Sequence, residues 1–320
     1  MEFLTSFYNT GMAMVEIFII VMCGFFFVKL KLFDAEGVKG IISLTINLFL
    51  PCLIFAHFME HAKDALPADW WVYPLLGILV SAAGFLVAGI FSFFHKDRQL
   101  RGEFASLIAF QNCGYLPLML VAAVFPEEIK RVLFVYIFLF IQGFNFIFWG
   151  FGVHFLIGTE KRKMEIKKIF NPPFVSLLLC LFLVKTKFYV FLPVPLFRAV
   201  KIVGVCTLPV ALISLGAVLA QCLVPLHNVS KRFLAEVVLL KLVVMPILAM
   251  ALLFFWRIHP LAALLIMIEA SMPAAINLGM VSFHYSGKCN LVSQAVLLTH
   301  FFALFTVPFF LSLYLSFVQK

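Results

Sequence analysis

The feature that most constrains this chain is a series of apolar runs, each long enough to cross a bilayer, that recurs along the whole sequence. A bilayer core about 30 Å thick takes about 20 apolar residues in a helix. Hydrophobic residues make up 64% of the 320 residues and charged residues only 12%, whereas soluble domains have about a quarter charged. The first run, 12–28, is interrupted only by Glu16, and no cleavage site of a signal peptide follows it. The sequence therefore predicts an integral, multi-pass membrane protein.

We predict an all-α fold with ten membrane spans. They cover about 10–30, 38–58, 72–94, 104–124, 132–157, 172–190, 198–222, 233–256, 260–283 and 290–317. A polar linker at 159–171, expected on the cytoplasmic side, divides a first five-helix half (1–158) from a second (172–320). Asn171, followed by Pro172 and Pro173, predicts a capped helix start because an asparagine cap and donor-less prolines suit the first positions of a helix.

Charge predicts the surroundings of the chain and its orientation. The formal net charge is +9, and the Lys and Arg residues fall in short clusters between the apolar runs. This pattern is typical of loops that flank membrane helices and not of a nucleic-acid-binding patch, so the bilayer is an expected partner and nucleic acid is not. The larger share of these residues is cytoplasmic if both termini lie on the non-cytoplasmic side, and we expect that orientation in the bacterial cytoplasmic membrane.

Four prolines inside the spans indicate an internal repeat. Pro51 and Pro117 are 66 residues apart in the second and fourth spans, and Pro209 and Pro273 are 64 apart in the seventh and ninth. An odd number of spans in each half requires the second copy to be inverted in the membrane. The sequence thus predicts two inverted five-helix repeats, an arrangement typical of secondary transporters.

The broken fourth and ninth spans are the predicted working centre. They supply the candidate substrate-binding residues Asn112, Cys113, Gly114, Pro117, Met272, Pro273 and Asn277. A proline in a helix frees a carbonyl group, which in lipid must face protein or a wet cavity. If both helices unwind and cross, the N-terminal ends of their second halves point inward and favour an anion. Ordinary kinks are the alternative, but breaks at matching positions of two halves favour the functional interpretation.

Ionisable residues inside spans are costly and are the candidates for coupling or charge tuning. Glu16, Lys241 and Glu269 fall in this class. One of them could carry a coupling proton or lie near an anionic substrate, or Lys241 and Glu269 could form an ion pair that joins two helices. His300 in the tenth span could titrate or could pack as a hydrogen-bonded residue.

Other polar residues within spans leave two interpretations open. Asn47, Gln142 and Asn145 could face a substrate cavity or form hydrogen bonds between helices. No nucleotide-binding loop, metal-ligand spacing or nucleophile motif is present. We therefore expect neither an enzyme nor a bound cofactor or metal, and any coupling ion is expected to be H⁺ in preference to Na⁺.

Seven short segments carry a further signal. In chain order they are NLFLPCLIF (47–55), NCGYLP (112–117), NPP (171–173), LGA (215–217), SMPAA (271–275), VLLT (296–299) and TVP (306–308). These segments resemble those of the auxin efflux carrier family, which includes bacterial organic-acid carriers and the plant PIN-formed auxin exporters. Their order and spacing extend the resemblance over nearly the whole chain.

The resemblance implies ten helices in two inverted repeats with scaffold and transport subdomains. Helices four and nine are then crossed at Pro117 and Pro273, beside the substrate site. Family members move organic anions, and plant members are dimeric, so a homodimer is an open expectation. Asn112 precedes its proline whereas Asn277 follows its own, so no auxin preference is carried over.

Our leading hypothesis is a secondary transporter of a small organic anion, in particular a carboxylate, that works by an elevator-like or rocking alternation of two subdomains. One alternative is a membrane sensor that keeps the carrier fold and binds its ligand without moving it. Another is a sodium-coupled symporter of a bile-acid-like substrate.

Overall fold

The computed structural model describes residues 2–61, 68–92, 97–157, 170–221, 230–256, 258–286 and 290–318. These residues form helices and turns, with no strand among them and one isolated antiparallel bridge between Gln111 and Ala274. The all-α prediction is confirmed. Most of the predicted linker at 159–171 lies outside the described residues, and the division into two halves stays a prediction.

The α-helices of the described residues run in chain order from α1 to α16. The first eight are α1 Glu2–Lys29, α2 Ala35–Leu44, α3 Leu50–Glu60, α4 Val72–Ser92, α5 Arg98–Ala109, α6 Tyr115–Val124, α7 Glu127–Ile147 and α8 Val153–Ile157. The remainder are α9 Pro172–Thr186, α10 Val194–Val205, α11 Thr207–Gln221, α12 Lys231–Leu239, α13 Met245–Phe255, α14 Pro260–Ser271, α15 Asn277–Ser286 and α16 Asn290–Val318.

Wide π-helical turns join three of these pairs into continuous rods. They lie at Thr45–Phe49, Phe148–Gly152 and Leu240–Val244, between α2 and α3, α7 and α8, and α12 and α13. Two of them directly precede a helix with a proline at its second position, Pro51 or Pro246. A proline has no N–H for the turn before it, and a wide turn accommodates the carbonyl that is left over.

Within the described ranges, seven rods are long and apolar enough to cross a membrane. They are Phe3–Lys29, Ala35–Glu60, Val72–Ser92, Glu127–Leu156, Val194–Gln221, Lys231–Phe255 and Leu291–Phe317. Three shorter apolar helices also occur, at Tyr115–Val124, Pro172–Thr186 and Pro260–Ser271. The first and third of these belong to the spans that the sequence predicts to be broken. The count of ten spans remains a prediction.

The predicted helix start after the linker is confirmed. The Asn171 side chain accepts a hydrogen bond from the Phe174 backbone N–H (3.0 Å), and Pro172 and Pro173 occupy the first positions of α9. The helix ends at Lys187, whose φ of 60° is left-handed. On its inner side, Ser176 donates to the Pro51 carbonyl (2.8 Å) and so fixes α9 against the start of α3.

Helices pack most closely where glycine allows backbone contact. α1 lies along α11 and α16, while α4 lies along α5 and α7, and α3 along α9 and α10. In the α1–α11 contact, Gly24 faces the Ile213 carbonyl and Gly216 faces the Val21 carbonyl, with no room for a Cβ at either position. Small residues at such crossings let dispersion contacts form where the bilayer supplies no hydrophobic drive between helices.

We expect Gly24→Ala and Gly216→Ala to destabilise the protein by about 1–3 kcal/mol each, because the added methyl group forces α1 and α11 apart. Gly11→Ala is the matched control on α1, where an added Cβ meets nothing within 4 Å. Chemical unfolding in detergent measures the difference, and equal stability of Gly216→Ala and Gly11→Ala would contradict the close approach.

Candidate functional site

Two interrupted helices meet at the centre of the structure. α5 ends at Ala109 and α6 begins at Tyr115, while α14 ends at Ser271 and α15 begins at Asn277. Each interruption is therefore five residues long, 110–114 and 272–276. Each follows a helix of 12 residues and precedes one of 10.

The interrupted segments satisfy each other's backbone groups. The Asn112 N–H donates to the Pro273 carbonyl (2.8 Å), and the Ala275 N–H donates to the Phe110 carbonyl (3.0 Å). The Ala274 N–H donates to the Thr299 hydroxyl of α16 (3.3 Å). Backbone that is not helical survives at membrane depth only where such partners exist. The two interruptions therefore depend on one another.

The two prolines act differently in these segments. Pro117 lies in the first turn of α6, where its missing N–H would have had no helical partner in any case. Pro273 lies inside the second interruption and contributes its carbonyl to the bond with Asn112. Met272 precedes it as the C-cap of α14 and donates its N–H to the Glu269 carbonyl (3.3 Å).

A cavity of about 340 Å³ opens beside the two interruptions. Its lining comes from the interrupted segments and α7, from α2 with the turn that follows it, and from α9 and α11. Five predicted site residues line it: Asn112, Cys113, Gly114, Asn145 and Asn277. Pro117, Met272 and Pro273 are buried beside it without being part of the lining.

The cavity wall combines neutral polar groups with aromatic rings. Its amides are those of Gln111, Asn112, Asn145, Asn171 and Asn277, its hydroxyls those of Thr45, Tyr115 and Ser214, and its larger rings those of Phe144 and Trp149. No Asp, Glu, His, Lys or Arg occurs among the described lining residues. The N-terminal ends of α6 and α15 border the same space, and such ends carry partial positive charge. This environment suits a small ligand with an anionic end and an apolar body.

A histidine lies directly behind one of the cavity amides. The Asn112 Nδ2 atom is 3.3 Å from Nε2 of His300, and Nδ1 of the same ring is 2.8 Å from the Val296 carbonyl oxygen. Both side chains are buried, at 6% and 7% exposed. His300 thus contacts the cavity through Asn112, although it is not part of the lining.

Lys241 and Glu269 form a buried charge cluster on the other side of the interruptions. They are 1% and 0% exposed and interact electrostatically with each other and with Cys113. Lys241 lies in the π-helical turn between α12 and α13, and its Nζ donates to the Ile108 carbonyl (2.8 Å), which is near the end of α5. A carbonyl close to a helix end has no partner within the helix, so Lys241 stabilises the interruption as well as balancing charge.

The Lys241–Glu269 pair is not a direct ion pair. In the described part of the chain, direct ion pairs with a nitrogen–oxygen distance within 4 Å occur at Lys130–Glu127 and Lys201–Glu60. Lys241 and Glu269 form no such pair. Both Glu269 oxygens and both polar atoms of the neighbouring Gln111 amide are buried without a hydrogen bond of normal geometry to any described residue. Glu269 therefore interacts with its neighbours Gln111 and Lys241 without a hydrogen bond of normal geometry to either.

The other candidates lie away from the cavity, with one exception. Glu16 is exposed midway along α1. Asn47 is also exposed, and its amide donates to Ser43 on the same helix (3.0 Å). Gln142 donates to the Phe138 carbonyl one turn back (2.9 Å), whereas Asn145 lines the cavity. Their assignment as site residues remains a prediction.

Sequence reasoning missed several lining residues. Gln111 directly precedes Asn112, the first predicted site residue of the fourth span, and could have been included as a further amide beside the break. Ser214 lies five residues after Pro209, and Thr45 lies six residues before Pro51. Both are therefore near prolines that indicate the internal repeat. Tyr115 lies within the 112–117 segment but was not selected as a site residue, and Trp149 carried no distinguishing signal because aromatic residues are common throughout this chain.

This fold of bilayer-length helices around an internal polar cavity defines a multi-pass integral membrane protein. The profile of a family described as membrane transport protein matches residues 10–166 and 159–311. The chain belongs to this family, which is the auxin efflux carrier family.

Two curated relatives are similar to part of the chain. An uncharacterized transporter of Schizosaccharomyces pombe is 23% identical over 162 residues, which are 46% of this chain and 36% of the relative. Protein PIN-LIKES 7 of Arabidopsis thaliana is 28% identical over 131 residues, 40% of this chain and 33% of the relative. The chain thus spans about a third of the length of these relatives.

Lys241→Met is expected to destabilise the protein by about 3–5 kcal/mol, because it leaves Glu269 buried without a balancing charge. Lys241→Met combined with Glu269→Gln should recover part of that loss. Chemical unfolding in detergent provides the measurement. The control is Lys201→Met, which breaks an exposed pair with Glu60 (2.5 Å) worth up to about 1 kcal/mol. A double variant no more stable than Lys241→Met would show that the charges are not coupled.

Proposed function

We propose that this chain is a secondary carrier that moves a small organic anion, in particular a carboxylate, across the membrane by alternating access. The observation that carries the proposal is the cavity at the paired interruptions, where amide side chains and two helix N-terminal ends converge. Membership of a membrane transport family makes movement of the ligand, and not binding alone, the expected activity.

An anion suits the cavity because the groups around it can donate hydrogen bonds and carry partial positive charge. Asn112 and Asn277 contribute amide groups beside the N-terminal ends of α6 and α15. A helix N-terminal end stabilises an anion by about 0.3–1 kcal/mol when exposed and up to about 2 kcal/mol when partly buried. Phe144 and Trp149 offer an apolar surface for the rest of the ligand. No charged side chain of the described lining would repel or trap the anion.

Alternating access is supported by the composition of the cavity wall. One group of lining residues comes from α2, α9 and α11, and a second group from the interruptions and α7. A ligand bound between two helix groups can be exposed to either aqueous side if one group rocks or slides against the other. We propose that the α2, α9 and α11 side is the scaffold and that the interrupted helices move with the ligand.

Crossed helices in two inverted repeats are part of the same proposal. The interruptions have equal lengths, each lies between helices of 12 and 10 residues, and they hydrogen-bond one another in antiparallel fashion. Duplication followed by inversion would produce such a match. The expected ten spans then consist of the seven continuous rods, α9 and the two interrupted spans.

Proton coupling is favoured over sodium coupling. The titratable side chains Lys241, Glu269 and His300 lie beside the interruptions, so groups that can take up and release a proton are present next to the cavity. The proposal also places both termini on the non-cytoplasmic side of a bacterial cytoplasmic membrane. It further includes assembly as a homodimer.

The test is flux in proteoliposomes loaded with acetate, succinate or benzoate. Asn112→Ala combined with Asn277→Ala should lower the flux of the transported anion at least about tenfold, since loss of two hydrogen bonds to a charged ligand costs about 1.5–3 kcal/mol each. Asn9→Ala, at an exposed position near the start of α1, is the matched control. Undiminished flux in the double variant would refute the site.

The same preparation separates the competing functions. Saturable binding of a carboxylate without measurable flux would favour the sensor. Flux that requires Na⁺ at fixed pH would favour the sodium-coupled symporter. Flux that follows the pH gradient in the absence of Na⁺ supports the proton-coupled carrier.

A further inference from the structure

The hydrogen bonds of His300 define which of its nitrogens carries a proton. The Val296 carbonyl oxygen can only accept a hydrogen bond, so Nδ1, 2.8 Å away, must be the donor. In the neutral ring Nε2 is then an acceptor. The group it meets is the Asn112 Nδ2 amino group at 3.3 Å, which can only donate. With the Asn112 amino group facing it, Nε2 acts as the acceptor, which is the arrangement of a neutral His300.

The same contact sets the direction of the Asn112 amide. In a planar amide the oxygen and nitrogen point away from each other, so the oxygen is directed away from His300. Within the described residues no hydrogen bond to that oxygen is recorded, and Asn112 lines the cavity. With a neutral His300, the side chain therefore offers an acceptor to the ligand, and an acceptor repels a carboxylate.

We propose that His300 is the residue that couples a proton to anion binding, acting through Asn112 as a positioning residue. A proton from the aqueous side of the cavity adds to the Nε2 lone pair, and Nε2–H then requires an acceptor. The Asn112 amide turns over so that its oxygen accepts this bond and its amino group donates into the cavity. The carboxylate binds to that amino group, and when it leaves, the proton leaves with it. This inference rests on the proposed anion carrier.

The electrostatic surroundings favour this linkage. α16 packs against α1, α5, α12, α14, α15 and the Leu240–Val244 turn. Among the described residues of these elements, the buried charged side chains are Glu103, Lys241 and Glu269. None of the three interacts electrostatically with His300, and neither does the exposed Glu16 of α1. Lys241 and Glu269 balance each other.

A proton on His300 would therefore be a buried cation without a counter-charge, which is costly until an anion arrives. Proton and anion then stabilise one another, and the effect of each on the affinity of the other is reciprocal. The pair enters as a neutral complex.

The experiment measures equilibrium binding of radiolabelled benzoate, succinate and acetate to the full chain in lipid nanodiscs, over a pH range in which the ligands stay ionised. Wild-type affinity should rise as pH falls, by up to about tenfold per pH unit, the limit for linkage to one proton. His300→Gln keeps an amide that can face Asn112 in either orientation but cannot titrate. It should bind with an affinity that changes less than about twofold over the same range.

The control is His259→Gln, which removes an exposed histidine at the start of α14 and should retain the wild-type slope. A His300→Gln variant with the wild-type slope, or a pH-independent wild type, overturns the inference while leaving the anion site in place. Absence of binding by every carboxylate at every pH overturns the inference and the proposed function together.

A second measurement needs no ligand. Histidine ring ¹⁵N chemical shifts, assigned by the signal lost in His300→Gln, distinguish the two neutral tautomers. The rarer tautomer, protonated on Nδ1, is expected for His300 at neutral pH. A ring protonated on Nε2 alone would refute the geometry on which the coupling depends.

Discussion

The mutual hydrogen bonding of two non-helical segments is the constraint on which the rest of this structure depends. Neither interruption could exist alone at membrane depth, because each would leave backbone donors and acceptors without water or protein partners. Asn112 with Pro273, and Ala275 with Phe110, supply those partners reciprocally. Two helices are thus interrupted at the same depth. This arrangement produces the cavity, the free helix ends that border it and the amides that face it.

The buried charges contribute to the same end. A lysine and a glutamate in the interior would each be costly alone. Lys241, however, donates a hydrogen bond to the Ile108 carbonyl, which has no partner within α5, and its charge offsets that of Glu269. α16 contributes in a similar way, since Thr299 accepts the Ala274 N–H and His300 contacts Asn112. Neighbouring helices thus stabilise the two interruptions, which the interrupted helices cannot stabilise alone.

Much of this could be predicted from the sequence, because it follows from hydrophobic length and from proline chemistry. The helical class, the Asn171 cap and the approximate location of both interruptions could be predicted because the residues that indicate each of them are close together in the chain. The partners of the polar side chains could not. Asn47 and Gln142 bond within their own helices whereas Asn145, three residues from Gln142, lines the cavity. That difference depends on helix rotation and packing, which periodicity does not determine in helices that are apolar on all sides. Lys241 could be recognised as unusual, but its bond to Ile108 joins residues 133 apart.

The location of Trp149 has a practical consequence. Of the four tryptophans in the chain, the others being Trp70, Trp71 and Trp256, Trp149 is the one that lines the cavity. Indole emission responds to the polarity and quenching groups of its surroundings, so replacing the other three with phenylalanine would leave one native fluorophore at the ligand site. Occupancy could then be followed in real time with unlabelled ligands, and the opening of the cavity to water on either side of the membrane could be monitored by aqueous quenchers.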